Sequence, residues 1–256
     1  MIKKEQRGYV LQLTLNRPEV FNSFNRTMAL ALQEALDAAD DDDSVRCIVL
    51  SAEGKAFCAG QDLGEAIADD GPSLETILSE HYNPIITRLR SIEKPIIAAV
   101  NGVAAGAGAN LALACDIVLA SSQASFIQAF SKIGLIPDSA GTYFLPRLIG
   151  MQKALALMMT GDKVSAEEAE RMGMIYKVFE AEQFADEVEK MAQKLSQMPT
   201  YALGLCKRAM NQSLTHNLVD QLQVELDLQV MAGESHDFKE GVAAFLEKRK
   251  PVFKGN

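Results

Sequence analysis

No charged side chain falls between Pro95 and Cys115. An uncharged run of that length is long enough to cross a bilayer; otherwise it lies in a protein core. Its composition favours the core, because Pro95, Asn101, Gly102, Gly106, Gly108 and Asn110 interrupt it and much of the remainder is alanine. The run therefore reads as a buried strand over Ile96 to Val100, a glycine turn, and a buried helix carrying Leu111 to Cys115. Cys47-Ile-Val-Leu-Ser51 is also apolar on both faces, as a central strand is. Leu11, Leu13 and Leu15 alternate with Gln12 and Thr14, the pattern of a half-buried strand. From Arg26 to Asp40, Met28, Leu32, Ala35, Leu36 and Ala39 fall on one helical face, and Asp116 to Ala120 reads as a further strand. Strands alternating with helices predict an α/β fold with largely parallel pairing.

The acidic run Asp40 to Asp43 reads as a solvated helix end. Beyond Gln152 the pattern turns helical, over Ala154 to Met159, 182–197 and 200–232, with a break at Met198-Pro199. Ser165-Ala-Glu-Glu168 fits a capping box. The expected layout is an α/β core over 1–195 and a helical region over 196–256. The chain has 256 residues, 48% hydrophobic and 23% charged, the composition of a soluble globular protein. Its 34 acids against 25 bases give a net charge of −9, which argues against a general nucleic-acid binder. Cys47, Cys58, Cys115 and Cys206 form no CxxC pair, and His81, His216 and His236 are scattered, so reduced buried thiols and no metal site are expected. The charged start Met1-Ile-Lys-Lys-Glu lacks the apolar core of a signal peptide, and the expected location is cytoplasmic, with no membrane partner.

Two loops and one acid carry the chemistry. Ala56-Phe-Cys-Ala-Gly-Gln-Asp-Leu63 follows a buried strand, and Asn101-Gly-Val-Ala-Ala-Gly-Ala-Gly-Ala-Asn110 joins a strand to a helix. Small residues let a ligand approach the backbone, and a helix start supplies free N–H groups. Two such turns brought together can hold one developing negative charge; either alone serves equally well for tight strand–helix packing. The second turn is not a dinucleotide fingerprint, because Leu111 occupies the third glycine position. Asp138 sits in Pro137-Asp-Ser-Ala-Gly141, where it reads either as a turn residue or helix cap or as a placed acid.

Taken together, Leu15-Asn-Arg-Pro18 with Asn22, Ala56-Phe-Cys-Ala-Gly60, Lys94-Pro95, Asn101-Gly102 with Gly106-Ala-Gly108, and Gly134-Leu-Ile-Pro137 with Gly141-Thr142 resemble the enoyl-CoA hydratase/isomerase (crotonase) superfamily over essentially the whole chain. The resemblance implies a crotonase-like spiral of ββα units with a C-terminal helical trimerisation region, assembled as a homotrimer or a dimer of trimers. It implies an acyl-CoA substrate that carries its own coenzyme A, with no separate cofactor. Two backbone N–H groups, at Gln61 and Ala107, then hold the thioester oxygen. Ala59, Gly60, Asp62, Leu63, Gly106, Gly108, Phe130 and Tyr143, with Leu135, are expected around the acyl group. Phe245 and Lys248 are expected at the nucleotide, within one subunit or across to a neighbour.

The two glutamates that hydratases of the superfamily use fall here at Asn110 and Phe130, which leaves Asp138 as the catalytic acid/base, the position that single-acid isomerases fill with Asp or Glu. Burial beside Ile136, Pro137 and Phe130 is expected to raise its pKa. Ser91-Ile-Glu-Lys-Pro95, Ala129-Phe-Ser-Lys-Ile-Gly-Leu-Ile-Pro-Asp138, Leu145-Pro-Arg147 and Glu240 to Arg249 resemble the isomerases of phenylacetate degradation that turn ring-1,2-epoxyphenylacetyl-CoA into oxepin-CoA. His81-Tyr-Asn-Pro84 adds to that resemblance. An isomerase of this kind, with Δ3,Δ2-enoyl-CoA isomerase activity, is the expected function. Enoyl-CoA hydration, a general aliphatic isomerase of fatty-acid oxidation, and a binding subunit without chemistry are the alternatives.

Overall fold

Each apolar run of the sequence becomes a strand of one sheet, and three of them lead directly into a short strand of a second. The computed structural model describes residues 1–256. Its strands are β1 (Ile2–Arg7), β2 (Val10–Leu15), β3 (Cys47–Ala52), β4 (Ala56–Cys58), β5 (Ile96–Val100), β6 (Val103–Ala105), β7 (Ile117–Ser121), β8 (Ser125–Ile127), β9 (Lys163–Ser165) and β10 (Lys177–Phe179). The helices of the first half are α1 (Arg26–Asp41), α2 (Leu63–Ala66), α3 (Leu74–Thr76), α4 (Asn83–Ser91) and α5 (Ala107–Leu113). Those of the second are α6 (Gly141–Ile149), α7 (Met151–Thr160), α8 (Ala166–Arg171), α9 (Ala181–Ser196), α10 (Thr200–Ser213), α11 (Leu218–Glu234) and α12 (His236–Leu246).

The larger sheet has the order β1-β2-β3-β5-β7-β10 and is parallel apart from the β1–β2 hairpin. The smaller has the order β4-β6-β8-β9, with β4, β6 and β8 parallel. The pairs β3/β4, β5/β6 and β7/β8 thus make successive turns of a spiral of ββα units. Alternate residues of the larger sheet face opposite ways. Leu13, Leu15, Ile48, Leu50, Ile96 and Ala98 enter the main core, while Val10, Cys47, Val49, Ile97, Ala99 and Leu119 pack under Phe184, Val188 and Ala192 of α9. Burying each large aliphatic side chain is worth about 1.5–3 kcal/mol, which fixes the register of both faces.

The uncharged run holds one element more than its periodicity suggests. Between strand and helix lies β6, too short to show a period, with Gly102 so close to Lys55 that a Cβ would come within 2.1 Å of its carbonyl oxygen. The expected helix 200–232 is two helices. Asn217 accepts from the backbone N–H groups of Val219 and Asp220 and starts α11 anew. The expected capping box at Ser165 is half formed: Ser165 Oγ accepts from the Glu168 N–H, whereas the Glu168 carboxylate turns to Arg171. Cys206 is exposed, unlike the other three cysteines. The acidic run ends α1 under Lys94, whose ammonium donates to the carbonyls of Ala39, Asp40 and Asp42. No helix is long and apolar enough to cross a membrane.

The C-terminal helices dock on the core through polar contacts. Lys207 pairs with Asp116 at 2.9 Å, and Asp116 also takes Arg90 at 3.0 Å. The Arg46 guanidinium donates to Thr200 Oγ1 and to the carbonyls of Met198 and Phe253.

Candidate active site

Parallel pairing of β4 with β6, Ala56 opposite Val103 and Cys58 opposite Ala104, brings together the two loops that follow these strands. A Cβ on Gly60 would lie 3.1 Å from the Ala105 carbonyl oxygen and 3.5 Å from the Ala107 nitrogen, so the two turns touch. Both bend through left-handed glycines, Gly60 at φ +93 and Gly106 at φ +55. Gln61 forms a parallel bridge with Phe24: the Phe24 N–H donates to Gly60 O and the Asp62 N–H to Phe24 O. In a parallel bridge the amide of the bridged residue points to the opposite side, so the Gln61 N–H is turned away from Phe24. The Ala107 N–H opens α5 and has no carbonyl one turn back to bond. The expected pair of donors therefore stands on two adjoining turns.

The first turn is held by the motif near the N-terminus. Asn22, fully buried at φ +56, donates to the carbonyls of Glu53 and Ala56 and accepts from the Arg17 N–H. Arg17 reaches Asp62 at 2.9 Å. Asp62, expected beside the substrate, instead caps α2 through the Gly64 N–H and anchors Arg17. Gly108 is also not a cavity residue. A Cβ there would come within 2.4 Å of the Cys58 carbonyl oxygen, so its role is to seat α5 against β4.

A cavity of about 560 Å³ opens beside these turns, walled mainly by apolar side chains. Ala59, Gly60, Gln61, Leu63, Gly106, Ala107, Phe130, Leu135 and Asp138 all line it, as expected from the sequence. Phe130 lies over Gly106, its ring carbon 3.8 Å from where a Cβ would stand. Asp138 is held from several sides. Asn110 Nδ2 and the Gly141 N–H both donate to its backbone carbonyl at 2.8 Å. Gln128 Nε2 donates to Asn110 Oδ1 at 2.8 Å, and Ser139 Oγ donates to Asp138 Oδ1 at 2.8 Å. Ser139 and Ala140 follow at φ +50 and +60, two successive left-handed residues that are not glycine. Such a pair costs free energy and persists only where the surroundings over-determine it. Burial pushes the Asp138 carboxyl above the ordinary carboxylate range, opposed by the Ser139 hydrogen bond. No ion pair offsets this, because no cation bonds the group.

Two residues are placed differently from what the sequence suggests. Ile136, expected to be buried beside Asp138, is 80% exposed and lines the cavity. Tyr143 leaves the cavity altogether: it stacks edge-on with Phe144 and under the Arg147 guanidinium, 3.8 Å from the ring centroid. Thr142 takes its place in the wall. Phe245 and Lys248, at the end of α12, are not part of the cavity wall of their own protomer.

The opposite wall was not foreseen from the sequence. Leu74, Ile77, Leu78 and Tyr82 line it, from α3 and a π-helical turn over Ile77–Tyr82. Leu74, Ile77, Leu78, Tyr82, Ile85 and Ile86 have helical spacing in the sequence, but that spacing does not show that one turn is π-helical.

The chain matches the enoyl-CoA hydratase/isomerase family over residues 5–256. It is 49% identical over 249 residues to the 1,2-epoxyphenylacetyl-CoA isomerase of Escherichia coli K12, covering 96% of this chain and 95% of that one. It is 39% identical over 250 residues to the trans-2-decenoyl-[acyl-carrier-protein] isomerase of Streptococcus mutans, covering 96% and 95%. Among solved structures, an enoyl-CoA hydratase from Polaromonas sp. JS666 superposes with a TM-score of 0.92 at 36% identity, over 98% of this chain and 99% of that one.

Proposed function

The chain belongs to the enoyl-CoA hydratase/isomerase family, and on that premise we propose that it isomerises acyl-CoA thioesters with Asp138 as the single acid/base. One observation carries the reading: Asp138 is a lone, partly buried carboxylate in an apolar cavity, next to two turns with free amides, while the hydratase glutamate positions hold Asn110 and Phe130. Hydration needs one group to activate water and another to protonate carbon. Isomerisation returns the proton it removes, so one carboxylate serves both ends.

In the proposed reaction the thioester oxygen lies between the N–H groups of Gln61 and Ala107. Asp138 takes a proton from the carbon next to the thioester carbonyl. The electron pair moves onto the thioester oxygen, where the two donors hold the enolate in a site of low polarity. Asp138 then returns the proton further along the conjugated system. For a 3-enoyl chain this gives the 2-enoyl thioester. For a ring-1,2-epoxide, opening of the shared ring bond gives the seven-membered ether, and the same proton passes from the side-chain carbon to a ring carbon. The identity to the Escherichia coli epoxide isomerase favours the ring substrate. Coenzyme A arrives with the substrate, and no further cofactor is needed.

The test is a turnover panel of a 3-enoyl-CoA and ring-1,2-epoxyphenylacetyl-CoA. Appearance of conjugated thioester without water addition is the expected result. Tight binding without turnover would make the chain a binding subunit, and net water addition to a 2-enoyl-CoA would make it a hydratase.

A further inference from the structure

Tyr82 closes the π-helical turn Ile77–Tyr82 and lines the cavity with Ile77 and Leu78 of the same turn. Single π turns are costly and occur frequently at functional sites. The side chain is 1% exposed, with its ring tilted against Phe24 at 5.8 Å between centroids. Its hydroxyl has no hydrogen-bond partner. A buried phenol normally finds one, and leaving it unpartnered costs the fold free energy. Phe24 is itself bridged through its backbone to Gln61, so Tyr82 packs against the residue that holds the first glycine turn. Burial also holds the phenol well above its usual pKa, so it is a neutral donor at any physiological pH. The other polar side chains of the wall do not compete for that task. Lys132, Asn83 and Thr142 are exposed, Ser139 donates to Asp138, and Gln61 presents an unpartnered oxygen, an acceptor.

We propose that Tyr82 is a specificity-determining residue, its hydroxyl donating a hydrogen bond to an ether, epoxide or hydroxyl oxygen carried on the acyl group close to the reacting carbons. The proposal rests on the acyl-CoA reading of the cavity and names the feature of the acyl group that the cavity selects. A hydrocarbon chain leaves the phenol unpartnered, whereas an oxygen-bearing group satisfies it.

The test compares two thioesters that cannot be isomerised, phenylacetyl-CoA and 2-hydroxyphenylacetyl-CoA, by calorimetric titration of the wild type and Tyr82→Phe. The wild type is expected to bind the oxygen-bearing thioester about fivefold to tenfold more tightly, the range of one net hydrogen bond. In Tyr82→Phe that ratio is expected to fall to about one. The Tm of Tyr82→Phe is expected to stay at or above that of the wild type, because phenylalanine fills the same space without an unpartnered hydroxyl. A wild type without the preference, or a ratio that survives the substitution, overturns the proposal. A lowered Tm with a surviving ratio overturns it too and assigns the hydroxyl to the fold. Failure of the isomerase reading looks different: 3-enoyl-CoA would not turn over, while the binding ratio, which needs no turnover, would still respond to Tyr82.

Discussion

The side-chain amide of Asn110 donates to the backbone carbonyl of Asp138 across 2.8 Å while its oxygen accepts from Gln128. The amide is used at both ends, and a carboxylate in its place would set lone pairs against the Asp138 carbonyl. Asn110→Asp is therefore expected to lower kcat by about 10²-fold, the scale of a misplacement of about 1 Å. A second carboxylate so close also disfavours the charged form of Asp138. The acidic limb of the kcat/KM profile on a 3-enoyl-CoA should move to higher pH. An unchanged limb would show that Asn110 does not govern the acid.

Asp138→Asn is expected to reduce kcat by about 10²–10⁴ with acyl-CoA binding retained. It also has a stability signature. Burial raises the folded-state pKa of Asp138 above its unfolded value, so the folded protein holds the proton more tightly. Stability is then lost as pH rises through that interval and stays lower above it. The variant should match the wild type in Tm at pH 3 and exceed it at pH 7; the reverse order would contradict the burial argument.

Ala107→Pro removes the N–H at the first position of α5, where proline fits the helix best. A folded variant, shown by circular dichroism, should lose about 10²–10³ in kcat if that N–H holds the thioester oxygen. Full activity in a folded variant would remove Ala107 from the donor pair.

Along α11, Leu218, Leu222, Leu226 and Val230 are 54–74% exposed, at intervals of four residues that form a single stripe. A lone protomer seldom leaves such a stripe open to water. Light scattering at micromolar concentration is expected to give a trimer or a dimer of trimers. Leu222→Glu with Leu226→Glu should shift it toward the monomer mass. A wild-type monomer would reject the expectation.

Arg249 is bound by Glu240 and Glu247 within its own protomer, and neither Lys248 nor Lys250 forms an ion pair. If Lys248 serves the phosphates of coenzyme A, Lys248→Ala should raise KM at low salt, with less effect at high salt and little change in kcat. An unchanged KM at low salt would reduce it to a solvated helix end.

The parts of this molecule with a strong period were legible in the sequence: α1, the half-buried β2 and the fully buried β3 and β5. The two glycine turns were legible because glycine between a strand and a helix is costly unless a left-handed bend or a close approach requires it, as at Gly60 and Gly106. Elements too short for a period were not. Neither β6 nor the π turn at Ile77–Tyr82 announces itself, so Tyr82 was noticed only as part of a motif. Tyr143 reads as an acyl-wall candidate, but beyond the two left-handed residues Ser139 and Ala140 it lies against Phe144 and Arg147, outside the cavity. The split between α10 and α11 had a signal in Asn217, a helix-capping residue with an acid three positions on.

On the proposed reading, the thioester oxygen is held by peptide groups whose spacing follows from how β4 pairs with β6. Side-chain substitution at Gln61 or Ala107 leaves that spacing in place, whereas Asn110, Phe130 and Asp138 hang on α5 and on a separate loop. On that reading, activation of the carbonyl is written in the backbone and the choice of reaction in the side chains. A lineage built on this scaffold can exchange its acids and bases one at a time, without a generation in which the thioester has nowhere to sit.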